Sequence, residues 1–190
     1  MPLIFRVPGL TDGGRESFAL VEHVDIMATL LDAAGLNPVP LCPDPRSSAS
    51  DAPWEVAQCT EGISFLSLAA GDLADSSVWK SAAFTTSSPL GTSYKVIGYS
   101  MVTNTKLKLV AWVDFDYNLA YSTTDTRYSR RNWTMNNDLA GLALYNHSAD
   151  PYEEVNLASL PRFSELAQEL FAKLQAGWRA VIPDSADSSE

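Results

Sequence analysis

The feature that most constrains the fold is a period-two pattern on either side of Asn104 and Thr105. Between residues 107 and 114, apolar side chains at odd positions alternate with a mixed set at even positions: Leu107, Leu109, Ala111 and Val113 against Lys108, Val110, Trp112 and Asp114. Alternate residues of a β-strand share a face, so this pattern predicts a strand with one apolar face. The sequence therefore predicts a hairpin of residues 95–103 and 106–115 that turns at Asn104 and Thr105.

A period near 3.6 predicts two helices. Around residues 26–34, Asp25 is expected to be the N-cap, Gly35 to adopt a left-handed C-terminal conformation, and Pro38 to block continuation. One buried stripe is predicted for this helix: Met27, Leu30, Leu31 and Ala34. A second helix is predicted over 162–180 after Pro161, with one apolar side: Phe163, Leu166, Leu170, Leu174 and Trp178.

Shorter signals complete the outline. Residues 3–7 and 141–145 are predicted strands, and a short helix is expected within 62–73. Five of the eleven prolines fall between Pro38 and Pro53, which marks the best candidate domain boundary. Residues 115–137 lack a period and are predicted to form a loop, and the acidic end after Pro183 is expected to fray.

Charge and hydropathy exclude two classes of partner. With 13 basic and 23 acidic residues the formal charge is −10, and the densest basic group is only Arg127, Arg130 and Arg131. A nucleic-acid surface needs clustered cations, so no nucleic-acid partner is expected. No apolar run approaches the roughly 20 residues of a membrane span, so no membrane association is expected.

Cysteines and glycosylation signals bear on the compartment. Cys42 and Cys59 flank one polar, proline-rich loop, and their spacing alone leaves a disulfide and two free thiols equally open. Asn132 and Asn146 each begin an N-glycosylation acceptor sequence. The chain begins without the basic and apolar regions of a secretory signal.

The residues that carry catalysis in common enzymes are scarce. A Ser/His/Asp triad needs a histidine; His23 is predicted to be a packed or rim residue, and His147 a surface residue. Four Cys and His residues are too scattered for structural zinc, and no glycine-rich phosphate loop occurs. Asp114 and Asp116 could hold a cation at a strand end, although a solvated strand terminus is the more common explanation. No catalytic or metal-ligating residue is therefore assigned to this chain.

Three segments, in order, resemble the C-terminal third of the sulfatase family. They are residues 2–9 (PLIFRVPG), 21–36 (VEHVDIMATLLDAAGL, with Ala28 where the family usually has proline) and 143–158 (ALYNHSADPYEEVNLA). The resemblance implies an α/β fold that is α+β in this part. Residues 1–40 would be the last strand and helix of the sulfatase core. Residues 41–182 would form a C-terminal subdomain with a small antiparallel sheet and a C-terminal helix, and 183–190 an acidic tail.

Within the family the likeness is greatest to the iduronate-2-sulfatase group. Residues 41–45 and 58–62 resemble its cysteine-closed loop, which implies a Cys42–Cys59 disulfide, and residues 96–103 and 109–113 resemble its C-terminal hairpin. Ser88, before Pro89, occupies the position where that group is expected to present a lysine to the sugar carboxylate. Ser88 is thus the candidate substrate-pocket residue, and its neutral hydroxyl puts iduronate specificity in doubt.

The resemblance implies a sulfuric ester hydrolase acting on a sulfated sugar or glycosaminoglycan, in a lysosomal or secreted compartment. Its chemistry would use a formylglycine hydrate and a calcium ion. The formylglycine motif C-x-P-S-R is not present at Cys42, because Asp44 stands where proline is required. The catalytic and calcium ligands would lie in an N-terminal part that precedes this chain, so the chain alone is expected to be inactive. The alternative is a non-catalytic α+β module that binds a glycan or a protein through aromatic side chains: Trp112, Tyr117, Tyr121, Tyr128 and Trp133.

Overall fold

A computed structural model describes residues 2–11, 13–42, 59–71, 79–87, 96–114 and 139–183. The chain divides into two compact units, Met1–Ser81 with Val181–Glu190, and Ala82–Ala180. The first unit contains helices α1 (His23–Ala33) and α2 (Leu66–Ala70). The second contains strands β1 (Ala82–Ser87), β2 (Val96–Thr103), β3 (Leu107–Asp114) and β4 (Leu139–Asn146), followed by helix α3 (Ser164–Ala176).

The second unit is built on a four-stranded antiparallel sheet with the order β1-β2-β3-β4. The predicted hairpin is confirmed as β2 and β3, and the predicted strand at 141–145 is confirmed within the longer β4. Strand β1 was not predicted, because its sequence AAFTTS has no clear alternation and its pairing with β2 is a tertiary contact. The α+β composition expected for this part of the chain is confirmed.

Strand β3 has the two faces that its sequence predicts. Leu109, Ala111 and Val113 are fully buried, whereas Trp112 and Asp114 are exposed. On the buried face Leu109 lies between Met101 of β2 and Leu144 of β4, both also inaccessible to solvent. These side chains form the apolar core of the second unit.

Helix α3 is shorter than predicted and packs against β3. It buries Ala167, Leu170 and Leu174, while the outer members of the predicted stripe, Phe163 and Trp178, lie in flanking 3-10 turns and are only half-buried. Gly177, with φ +80°, ends α3 before Trp178, so the apolar period of the sequence extends beyond the residues that form the α-helix.

Helix α1 begins earlier than its sequence suggests. Its N-cap is Glu22, so the predicted N-cap Asp25 is wrong: Asp25 is the third helical residue, and its Oδ2 accepts the Glu22 backbone N–H at 2.8 Å. In such a capping box the acidic side chain of the third helical residue accepts the backbone N–H of the N-cap, one of the donors that have no partner within the helix. The predicted end is confirmed, since Gly35 has φ +66° and the Leu36 N–H donates to the Leu31 carbonyl at 3.0 Å.

The predicted buried stripe of α1 is wrong. Met27 and Leu30 are each 57% exposed and Ala34 is also exposed, whereas the fully buried residues of the helix are Asp25 and Thr29. The apolar stripe was identified correctly as one helical face, but the face that packs within this chain is the opposite, polar one. The polar face is buried because residues far away in sequence bind it: Lys80 contacts Asp25, and the Phe65 N–H donates to Thr29.

The predicted strand at residues 3–7 does not form in the structure. Ile4 is 94% exposed and Leu3 46%, while Phe5 packs edge-on against Phe65 at a centroid distance of 5.1 Å. A strand needs a neighbouring strand to satisfy its backbone groups, and this segment pairs with none of the described residues. None of the helices in the described parts of the chain has the length and apolar character needed to cross a bilayer.

Candidate functional site

In the first unit the carboxylate of Asp25 is inaccessible to solvent. Its Oδ1 accepts the backbone N–H of Ile63 at 2.9 Å and the Nζ of Lys80 at 2.6 Å. With the bond from Glu22 N–H, one carboxylate joins three separate stretches of chain. Charge-assisted hydrogen bonds of this kind are the strong ones.

Lys80 supplies the positive charge. Its side chain is 2% exposed, and its Nζ contacts the Asp25 carboxylate and, at 2.9 Å, Oε2 of Glu22. We call Glu22, Asp25 and Lys80 the buried ionic cluster. A buried ammonium without carboxylates would be strongly unfavourable, so the two acids compensate its lost hydration.

A second polar residue of α1 extends the cluster. Thr29 Oγ1 donates to the Asp25 carbonyl at 2.7 Å and accepts the Phe65 N–H at 3.0 Å. The segment from residue 62 to 65 therefore lies along the helix, and Gly62 is so close to the Val24 carbonyl that a β-carbon would collide with it. The charged groups of the cluster bind one another and the backbone of residues 63 and 65. We therefore assign it a structural role, which is to hold that segment against α1.

The Cys42–Cys59 disulfide is confirmed. The two cysteines are 17 residues apart and their Cα atoms 4.6 Å apart. Beside the bond, Cys42 N–H donates to the Thr60 carbonyl and Thr60 N–H to the Pro40 carbonyl, each at 2.9 Å. Thr60 Oγ1 then accepts the Gly62 N–H, so the disulfide is hydrogen-bonded into the segment that the buried ionic cluster holds.

The second unit has a half-exposed cluster around Glu153. Its Oε1 accepts from Lys108 Nζ at 2.7 Å and lies 2.9 Å from His147 Nε2. The hydrogen bond from Lys108 is the main reason that the pKa of Glu153 is lowered. Glu153 also has φ +58°, a left-handed conformation that costs a non-glycine residue of order 1 kcal/mol. The ion pair helps to hold this turn after β4.

Two neighbouring side chains shape the same turn. Asp150 accepts the N–H groups of Val155 and Glu154 at 2.9 and 3.0 Å, and these bonds lower its pKa, the one from Val155 most. Asn156 Oδ1 accepts the Leu144 N–H, and its Nδ2 donates to the Leu142 carbonyl. The side chain of Asn156 thus hydrogen-bonds the third sulfatase-like segment, residues 143–158, to the backbone of β4.

The predicted site residues are distributed over both units. Asn146 is half-buried at the end of β4, and its Oδ1 accepts the Ser148 N–H at 2.9 Å; its glycosylation stays a prediction. His23 is exposed at the start of α1, and His147 contacts Glu153. Ser88, Asn132 and Asp116 lie outside the described residues, and within those residues no group of three or more His, Cys, Asp or Glu side chains could hold a metal ion.

Sequence reasoning missed Lys80 and Glu153. Lys80 is a single lysine in a stretch without a periodic pattern, and nothing local distinguishes it from a solvated lysine. Glu153 lies in the third sulfatase-like segment, and nothing in the local sequence distinguishes it from its neighbour Glu154.

No protein-family model matches this chain, and no curated protein matches it. The resemblance to sulfatases consequently rests on the three segments in the sequence.

Proposed function

We propose that this chain is the C-terminal part of a sulfuric ester hydrolase of the iduronate-2-sulfatase kind, acting on a sulfated sugar or glycosaminoglycan. The formylglycine nucleophile and the calcium ligands of such an enzyme would come from an N-terminal catalytic part outside this sequence. The present chain would complete the core and contribute to the rim of the substrate pocket, with Ser88 as the candidate contact. Its compartment would be lysosomal or extracellular.

The observation that carries the proposal is the exposed apolar surface of the first unit. On α1, Val24, Met27 and Leu30 are each between 45% and 57% exposed, and Ile4 and Phe18 are more exposed still. Exposed apolar groups concentrated on one helix mark an interaction surface. This is the surface expected of a core helix whose larger sheet is supplied by other residues.

The disulfide supports an oxidising compartment. Bonds such as Cys42–Cys59 persist in secreted and lumenal proteins and are rare in the cytosol. That is the compartment in which enzymes acting on glycosaminoglycans would meet their substrates.

The deciding experiment is peptide mapping of the native protein, together with sequencing of its full transcript. The proposal expects upstream peptides that contain C-x-P-S-R, with its cysteine converted to formylglycine, and D-H-G. Native protein that lacks both motifs would contradict it.

An activity assay gives an independent result. The 190-residue chain alone is expected to leave 4-methylumbelliferyl sulfate intact, whereas the native protein should hydrolyse it and lose that activity on calcium chelation. Hydrolysis by the isolated chain would overturn the assignment of catalysis to other residues. The alternative, a non-catalytic binding module, instead expects the isolated chain to be monomeric and to unfold in one cooperative transition.

A further inference from the structure

Trp112 lies between two glycines in the second unit. In the sheet it is opposite Gly98 of β2 and opposite Gly141 of β4. Adjacent strands are about 4.8 Å apart, so these three residues form a strip about 10 Å wide with a single side chain, the indole.

The indole occupies one half of this strip. A β-carbon on Gly98 would be 2.8 Å from Cζ3 of Trp112, whereas one on Gly141 would have no heavy atom within 4 Å. The ring therefore covers Gly98, whereas no heavy atom of the described residues comes within 4 Å of a β-carbon on Gly141, which leaves a space beside the ring among those residues. Trp112 is 39% exposed, which is unusual for the largest apolar side chain in the middle of a sheet.

The pairing of β3 with β4 is irregular at this point. Gly141 is opposite Trp112, but Leu139 is opposite Val113, so Ala140 is an extra residue on β4. Such bulges sharpen the local twist and are common beside binding sites. Here the bulge lies next to the open space above Gly141.

The polar groups nearest the indole on this face are few. Asp114, two residues along β3, is exposed, and Ser100 of β2 follows Gly98 on the same face. Lys108, also on this face, is bound to Glu153. Of these described residues, the one that places an exposed charge beside the ring is Asp114, whose carboxylate accepts hydroxyl hydrogen bonds and repels sulfate groups.

We propose that Trp112 and the space above Gly141 bind an uncharged pyranose sugar of gluco configuration, by stacking of the sugar on the indole. Equatorial hydroxyls leave both faces of such a ring lined with axial C–H groups, which pack on an aromatic face, and its hydroxyls can donate to Asp114. This site is separate from the proposed sulfated substrate and does not depend on it.

A purely structural role for Trp112, as a cover for Gly98, gives a different prediction. Under that role the space above Gly141 has no function, and filling it should alter nothing except stability. Gly141→Val adds a β-branched side chain whose β-carbon has no heavy atom of the described residues within 4 Å, and the side chain would occupy the place of the sugar. This variant separates the two roles without touching the indole.

The test is calorimetric titration of the full 190-residue chain with cellotetraose and with N-acetylchitotetraose, using heparin as the sulfated comparison. We expect one or both neutral oligosaccharides to bind and heparin not to compete. Trp112→Ala and Gly141→Val should each weaken binding at least about tenfold, and Trp112→Phe by less. Tyr152→Ala, which removes a more exposed aromatic ring of the same unit, should leave binding unchanged.

Thermal unfolding of each variant identifies any that fails to fold, and Gly141→Val keeps the test decisive if Trp112→Ala is lost. Binding that requires both Trp112 and the open space supports the proposal. Absence of binding by both neutral oligosaccharides, or binding that Gly141→Val leaves intact, overturns it.

Discussion

Helix α1 of the first unit and the sheet of the second unit bury opposite kinds of side chain. In the second unit the strands and α3 enclose an apolar core that includes Met101, Leu109 and Leu144, as the hydrophobic effect requires. In the first unit α1 buries Asp25 against Lys80 and Thr29 against the Phe65 N–H, and it exposes Met27 and Leu30 of its apolar stripe. The apolar face of a helix therefore does not always decide which side is buried. In α1 the polar face has specific charged partners, and the apolar face has no partner among the described residues, so the polar face is the buried one.

The largest loss of stability is expected for a substitution of Asp25. Asp25→Ala should destabilise the first unit by about 3–5 kcal/mol, because it removes a carboxylate from buried Lys80 and an acceptor from two backbone amides. Hydrogen exchange of residues 59–71 should rise, as the contact between Ile63 and α1 is lost. Asp32→Ala is the matched control: the same change on the same helix removes only an exposed bond to Ser64 and should cost less than about 1 kcal/mol. Equal effects of the two substitutions would show that the ionic cluster does not hold this unit.

A leucine pair sharpens the contrast between the units. Leu109→Ala should cost about 3 kcal/mol of unfolding free energy, because Leu109 is fully buried between two other core residues. Leu30→Ala, at a 57% exposed position of α1, should change stability by less than about 0.5 kcal/mol. Chemical denaturation of both variants measures the difference. A substantial loss in Leu30→Ala would mean that the apolar face of α1 is already packed in this chain.

A smaller effect is expected at Glu153. Its lowered pKa means that the unfolded chain binds a proton more readily, so the stabilising contribution is present above the ordinary range of a glutamate pKa and is lost as pH falls through the folded value. Because Glu153 and Lys108 are about 30% exposed, Glu153→Gln should cost about 1 kcal/mol or less near neutral pH. The variant and the parent should converge in stability below the carboxyl range. A constant difference across the whole pH series would contradict the ion-pair explanation.

The smallest change in stability is expected on the exposed face of α1. Met27→Gln with Leu30→Gln keeps good helix formers and should shift stability by only about 0.5 kcal/mol. Its effect should appear instead in sedimentation: the parent chain is expected to self-associate through this face, and the double variant to sediment closer to the monomer. Unchanged association would indicate that another surface is responsible.

Local sequence patterns predicted much of the second unit. The alternation at residues 107–114 identified the hairpin and the buried face of β3, and the spacing of Leu170 and Leu174 identified the packed side of α3. Both signals succeed because neighbours in sequence determine which face of an element is apolar. Strand β1 has no such pattern, and its place depends on its pairing with β2.

The first unit was less predictable for a physical reason. The resemblance in sequence implied the Cys42–Cys59 disulfide correctly, and Gly35 marked the end of α1. Local sequence patterns could not predict the buried ionic cluster, because Lys80 and Asp25 are 55 residues apart and nothing in the sequence around either residue indicates that they form a pair. The polar groups of the candidate site were therefore recognisable only after folding.

The sequence by itself determined where the central hairpin, β4 and helices α1 and α3 lie and which faces of the hairpin and helices are apolar, since both follow from short-range periodicity and from the conformations that glycine and proline allow. Only the tertiary structure decided which of those faces is buried. Burial depends on partners contributed by distant residues. Lys80 binds Asp25 on the polar face of α1, so that face is buried. Trp112 is opposite two glycines, which have no side chains to pack beside it, so it stays partly exposed in its sheet. Those partners are brought together by the chain's path in space.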